Sequence, residues 1–239
     1  MQLDYSAREV TLKLVYYGPA LSGKTTNLVS LHRLTGAETR GRLMTLETQD
    51  DRTLFFDLLP LAFRSHDADL TLRIKLFTVP GQPIHAATRR LVLQGADGIA
   101  FIADSRLSAT QANAESFVDL RRNLRTNGLS IAQMPLVIQF NKRDLPQVRS
   151  DAELSELAMR GAEPVYAAVA TSGLGVGETL MGLLHLTWQT LDRTHQLERR
   201  LSIDGQRLLT ATAHQIGLTA PLHDLLGSRL GREPPRRSR

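Results

Sequence analysis

Gly18-Pro-Ala-Leu-Ser-Gly-Lys-Thr25 is the stretch that decides the fold. It is a complete Gly-x-x-x-x-Gly-Lys-Thr string, and its flanks matter as much as its letters. Residues 10–17 before it form a strand-like run, and an apolar-periodic segment from about Lys24 onward reads as a helix. Strand, loop and helix in that order separate a phosphate-binding loop from a glycine turn that happens to precede a helix. Gly18 and Gly23 let the backbone bend so that its N–H groups face a phosphate chain, and the helix N-terminus adds partial positive charge. Gly18, Pro19, Ala20, Leu21, Ser22, Gly23, Lys24, Thr25 and Thr26 are therefore expected to line a nucleotide's phosphates. Lys24 would reach the β- and γ-phosphates, and the Thr25 hydroxyl would ligate Mg²⁺.

A second string selects the base. Asn141-Lys-Arg-Asp144 follows Leu136-Val-Ile-Gln-Phe140, which reads as a buried parallel strand. The Asp144 carboxylate can accept from both guanine N1–H and the exocyclic amine. Adenine would leave it unpaired, and sites built around a polar pairing reject analogues that lack it. Asn141 is expected to hold the N7 side of guanine and tie its loop to the phosphate loop. Lys142 would lay its aliphatic stem along base and ribose. Alone, Asn-Lys-x-Asp is a common exposed turn; after a strand, and more than a hundred residues beyond a phosphate loop, it points to GTP and GDP.

Between them, at the end of an apolar run, stands Thr78-Val-Pro-Gly-Gln82. Taken together, these strings resemble the Ras-like small GTPases and, more closely, the bacterial MglA family of cell-polarity GTPases. The residues that carry the resemblance are Val15-Tyr-Tyr-Gly-Pro19, Gly23-Lys-Thr-Thr-Asn27, Asp51-Arg-Thr-Leu-Phe-Phe-Asp57, Thr78-Val-Pro-Gly-Gln82 and Asn141-Lys-Arg-Asp-Leu-Pro146, all within residues 3–192. Ras-like proteins place an aspartate where Thr78 stands; the threonine is itself a mark of the MglA group, and it removes a carboxylate that would hold Mg²⁺ through a water. The resemblance implies a three-layer α/β fold and a GTP-hydrolysing switch. Gly81 would donate its N–H to the γ-phosphate and Gln82 would orient the attacking water. Arg52 matches the family's intrinsic arginine finger. Thr53 matches the switch threonine, placed at nucleotide and metal. Ala170 lies where a main-chain N–H meets the guanine oxygen. A roadblock-type GTPase-activating dimer is the implied partner, and cell polarity or motility the implied setting.

Two positions depart from the family pattern. Ala20 replaces the usual glycine, and its methyl would crowd the γ-phosphate and could displace Gln82. The chain also continues well past residue 193. Ala20 keeps open a rival reading, a GTP-binding scaffold with little turnover. A P-loop ATPase or kinase is a second rival, against which Asp144 argues.

Composition sets the outer bounds. At 239 residues the chain suits one α/β domain, residues 1–193, a helical extension, 194–228, and a tail, 229–239. The net charge is +5, of which the tail contributes +4 through Arg229, Arg232, Arg236, Arg237 and Arg239 against Glu233. The basic character thus describes a tail expected to be disordered, not a nucleic-acid-binding face. There is no cysteine, so disulfides and thiolate metal sites are excluded, in keeping with a reducing, cytoplasmic compartment. No run is long enough to span a membrane and no leader is evident. Gln2 and the lack of cysteine exclude the common lipid anchors, so membrane or cell-pole contact would need a partner or the basic tail. The seven histidines form no metal constellation; His85, three residues after Gln82, reads as a bystander.

Alternating strand and helix patterns predict a mainly parallel sheet covered on both faces. Helices are expected over 25–34, 109–125, 151–159, 176–191, 201–216 and from 221 to 230. Strands are expected over 53–61, 70–79, 97–104 and 164–170, with a turn at 66–69. Residues 35–52 read as a polar switch segment.

Overall fold

The computed structural model describes residues 1–47, 55–65, 69–82 and 85–226. Its axis is β2 (Glu9–Tyr17), whose last four residues are all buried. β5 (Leu70–Thr78) runs parallel to it on one side and β6 (Gly98–Asp104) on the other. All seven residues of β6 are buried, as an unbroken apolar run in a doubly covered parallel sheet should be. β7 (Leu136–Asn141) and the three-residue β8 (Val165–Ala167) continue the parallel set. β4 (Phe55–Ser65) turns back antiparallel to β5, and β3 (Met44–Glu47) antiparallel to β4. β1 (Gln2–Asp4) pairs antiparallel with the start of β2. The order is β3-β4-β5-β2-β6-β7-β8, with β1 beside β2.

Strand alternation divides the core. Leu12, Leu14 and Tyr16 face one apolar cluster with α1 (Lys24–Leu34) and α5 (Val176–His195). Val15 and Tyr17 face the other, with α2 (Ala86–Leu93), α3 (Thr110–Thr126) and α4 (Asp151–Arg160). Two helical layers on a mainly parallel sheet give the three-layer α/β architecture read from the sequence. The P-loop emerges at the C-terminal end of the central strand, where open α/β sheets hold their ligands.

Local boundaries differ for physical reasons. β3 lies inside the segment read as irregular; four residues paired on one side only carry too little pattern to announce themselves. β4 extends four residues beyond its expected end, to Ser65. The strand expected over 164–170 stops at Ala167, because Val169 turns to pair with Leu174. The single helix expected over 201–216 is broken: α6 (Leu197–Leu201) ends at Ser202, whose φ of 54° no helix admits, and α7 (Gly205–Gln215) restarts under an Asp204 cap that accepts from the N–H groups of Gln206 and Arg207. α8 (Leu222–Leu226) follows. Leu197, Leu201, Leu208, Leu209, Ile216, Leu222 and Leu225 are all buried in the same cluster as β2, β4 and α5. The extension therefore packs on the α/β core. Its expected tail, and residues 66–68 of the turn expected at 66–69, lie outside the described residues.

Candidate active site

The P-loop joins β2 to α1 through Leu21 at φ 60° and Gly23 at φ 97°. A Cβ on Gly23 would stand 2.2 Å from Asn141 Nδ2, so glycine is required twice over, by backbone and by contact. Asn141 uses that closeness. Its amide donates to Ser22 O at 2.9 Å, and its Oδ1 accepts from the Ala170 N–H at 2.9 Å. One buried side chain thus ties the end of β7 to the P-loop and to the loop after β8. The Ala170 N–H, expected to face guanine, is turned inward to Asn141 in this arrangement. Asp144 is exposed and makes no hydrogen bond or ion pair among the described residues. Lys142 does not extend freely: its Nζ donates to Asp104 Oδ2 at 2.7 Å, and Arg106 donates to the same carboxylate. Burial pushes the Asp104 carboxyl up, but the hydrogen bonds of Arg106 and Lys142 prevail and hold it at about 2. A charged Asp104 at the end of β6 therefore fixes the lysine of the base loop.

α1 begins with no side-chain cap and no acidic residue in its first turn. Its leading N–H groups are left for an anion. Lys24 is 7% exposed; its ammonium donates to Gly18 O at 2.9 Å and Pro19 O at 2.6 Å. Burial, seconded by the Arg89 charge and opposed by Asp57, brings its pKa down to about 8. Thr25, Thr26, Ala170 and Thr171 line a cleft of 310 Å³ beside this helix start.

Thr25 leads to a residue that the sequence reading passed over. Its hydroxyl donates to Asp57 Oδ2 at 2.6 Å. Thr78 Oγ1 donates to the same oxygen at 2.9 Å, and Thr45 Oγ1 to Oδ1 at 2.9 Å. Asp57, the third residue of β4, is buried at 6% exposure. A buried carboxylate thus stands beside the very threonine that replaces the Ras-like aspartate, supplied by the neighbouring strand. The signal was an acid inside Phe55-Phe-Asp-Leu-Leu59, a stretch otherwise apolar. These oxygens are the hard donors Mg²⁺ takes; a larger cluster of His, Asp and Glu is absent among the described residues.

The loop after β5 closes on the P-loop. A Cβ on Gly81 would lie 2.2 Å from the Ala20 nitrogen, so only glycine permits this approach. Gln82 follows, exposed. Arg52 and Thr53 lie outside the described residues. Of the histidines, His185 has a buried, unpartnered Nδ1, and burial lowers its pKa; it sits on α5, outside the residues assembled here.

A P-loop at the end of the central parallel strand, an Asn-Lys-x-Asp loop locked to it and a Gly-Gln pair against it define a Ras-like GTPase. No protein-family model matches the chain. Over 191 residues it is 45% identical to the mutual gliding-motility protein MglA of Myxococcus xanthus, spanning 80% of this chain and 97% of that protein. A shorter stretch of 91 residues is 33% identical to the GTPase Der of Halorhodospira halophila, covering 38% of this chain and 17% of that protein. The chain belongs to the MglA family. It is a guanine-nucleotide-binding switch that hydrolyses GTP to GDP and phosphate. No helix among the described residues is long and apolar enough to cross a membrane.

Proposed function

We propose that this GTPase serves cell polarity or motility from the cytoplasm, recruited to a cell pole, and that a roadblock-type dimer accelerates it. Support comes from the similarity to a protein named for gliding motility. In the proposed mechanism, water attacks the γ-phosphorus of GTP in line, and the bond to the β-γ bridging oxygen breaks, leaving GDP and phosphate. Gln82 orients the water. Lys24 and the P-loop N–H groups meet the charge that spreads over the phosphoryl oxygens. Arg52 would add its guanidinium in the stimulated reaction, and Thr53 would close over the phosphate. Thr25 and Asp57 are the groups offered to Mg²⁺, which when bound supplies positive charge to the β- and γ-phosphates. Switch loops ordered by GTP relax when the γ-phosphate leaves. The scaffold alternative rests on Ala20 alone, and the comparisons do not favour it.

The observation that carries the base assignment is Asn141, which bridges Ser22 and Ala170 while Asp144 stays exposed and unpaired among the described residues. An amide at position 144 can match only one of guanine's two donors. Asp144→Asn is expected to weaken GDP and GTP binding at least about tenfold and to narrow the gap between GTP and ATP, read by competition against a fluorescent guanine nucleotide. Equal affinity of the unaltered protein for ATP and GTP would overturn the assignment.

A further inference from the structure

Behind the loop that carries Gln82 lies a buried polar strut that none of the sequence motifs mention. Arg89, on α2, is 7% exposed at its side chain. Its Nη1 donates to the carbonyls of Pro80, at 3.3 Å, and of Gln82. Its Nε donates to Asp119 Oδ2 on α3 at 2.8 Å. That carboxylate oxygen also accepts from Tyr17 Oη at 2.5 Å and Asn123 Nδ2 at 2.9 Å, and Asn123 donates to Tyr17 as well. Tyr17 is the residue immediately before Gly18. Arg122 holds the other oxygen of Asp119. The carboxylate is therefore anchored from β2 and from its own helix before it meets Arg89. The Gln82 carbonyl also accepts from the His85 N–H, at 3.2 Å.

The loop is thus fixed on two sides. Gly81 lies against the Ala20 backbone on the phosphate side, and Arg89 grips Pro80 and Gln82 from the interior. A planar guanidinium spreads its donors over three nitrogens and so can hold a carboxylate and two carbonyls in one fixed geometry; an ammonium offers its three donors from a single nitrogen. From this we infer that Arg89, backed by Asp119, is a positioning residue for hydrolysis: it sets where the Gln82 backbone stands and so where the Gln82 amide presents the attacking water. Arg89 touches no reacting atom. It acts through Gln82, and the inference rests on the reading of Gln82 as the water-positioning group.

Displacements of about 1 Å at a reacting centre can cost a hundredfold in rate, so losing the fork should be visible without loss of fold. Arg89→Lys keeps the charge beside Asp119 and gives up the fork. Single-turnover GTP hydrolysis by the full chain is expected to slow at least about tenfold, with GDP affinity and melting temperature close to those of the unaltered protein. The deciding measurement repeats the substitution in a Gln82→Ala background. There Arg89→Lys should cost nothing further, because its route to the chemistry is gone; a purely structural residue would slow both backgrounds alike. Asp119→Asn, which removes the charge from the carboxylate that Arg89 Nε meets, should slow hydrolysis in the same direction. It serves as the test if Arg89→Lys fails to bind GDP. Full-rate hydrolysis by Arg89→Lys, equal losses in the two backgrounds, or a full rate in Asp119→Asn where Arg89→Lys does not fold would each overturn the inference. If Gln82→Ala alone hydrolyses at full rate, the water-positioning reading fails and the role of Arg89 falls with it.

Discussion

A carboxylate buried among three hydroxyl donors, with no ion-pair contact among the described residues, is an unusual choice for the inside of a strand, since an ionised group out of water needs strong pairing. Its place there is accounted for under the proposal that Asp57 and Thr25 are offered to Mg²⁺. Its partners Thr25, Thr45 and Thr78 come from three different elements. The sequence reading takes Thr78 as the removal of a carboxylate that would hold Mg²⁺ through a water. What it lacked was register. β4 pairs antiparallel with β5 through Leu58 and Phe77, which brings Asp57 opposite Thr78, and nothing in either strand alone reveals the pairing. The Mg²⁺ concentration giving half-maximal hydrolysis is expected to rise at least about tenfold in Asp57→Asn, as a charge-bearing oxygen is replaced by a neutral one. GDP affinity measured in EDTA should change little. An unaltered Mg²⁺ requirement would show that Asp57 serves packing alone.

Buried polar residues also couple whole elements. β7 reads as an apolar strand, yet its Gln139 is fully buried. Its amide donates to Asn27 Oδ1 on α1 at 3.0 Å and to Thr179 Oγ1 on α5 at 2.8 Å. Asn27 in turn donates to Gly23 O, and Thr179 to Gly175 O. A hydrogen-bonded chain therefore runs beneath the site from the P-loop to the start of α5. Gln139→Leu is similar in volume but leaves Asn27 Oδ1 buried without its donor. The expected cost is about 1–3 kcal/mol, seen in chemical denaturation as a lower midpoint with an unchanged slope. A midpoint equal to that of the unaltered protein would mean that relieving the unpartnered Gln139 Oε1 offsets the loss. At this scale the elements that announced themselves were those with long patterns or strong punctuation, such as β6 and the capped α4, where Ser150 and Glu153 form a reciprocal box. α2 is not among the expected helices: it is eight residues long with two arginines, and its Arg89 is buried where Asp119 and the loop carbonyls receive it. Amphipathic periodicity cannot encode a burial that depends on a partner from another helix.

On the scale of the molecule, the match to MglA leaves a fifth of this chain unpaired, and the extension supplies residues to the same core as the central strands. α7 lies against β4, where Gln215 Nε2 donates to Arg64 O at 2.9 Å; α7 and α8 both pack on α5. Trp188 of α5 is 2% exposed and donates its indole N–H to Glu198 at 3.1 Å. Arg8, in the turn from β1 to β2, donates to Leu201 O at 2.9 Å. The sequence predicted leucines that must pack on something, because short isolated helices are marginal in water; it did not say on what. With the segment docked on β4 and α5, deleting residues 195–239 would bare Trp188 and the leucines of α5, at roughly 25 cal/mol for each Å² of apolar surface exposed. That truncated protein is expected to melt several degrees below the full chain, each kcal/mol being worth about 2–4 °C at this size. It should also need more Mg²⁺, since β4 carries Asp57. Deleting only residues 229–239, five arginines with scarcely an apolar side chain, should leave melting temperature, GDP affinity and hydrolysis unchanged. Differential scanning calorimetry on the three chains decides the matter. If the longer deletion melts with the full chain, the extension contributes nothing to the core it touches, and its leucines must be kept for a surface outside this molecule.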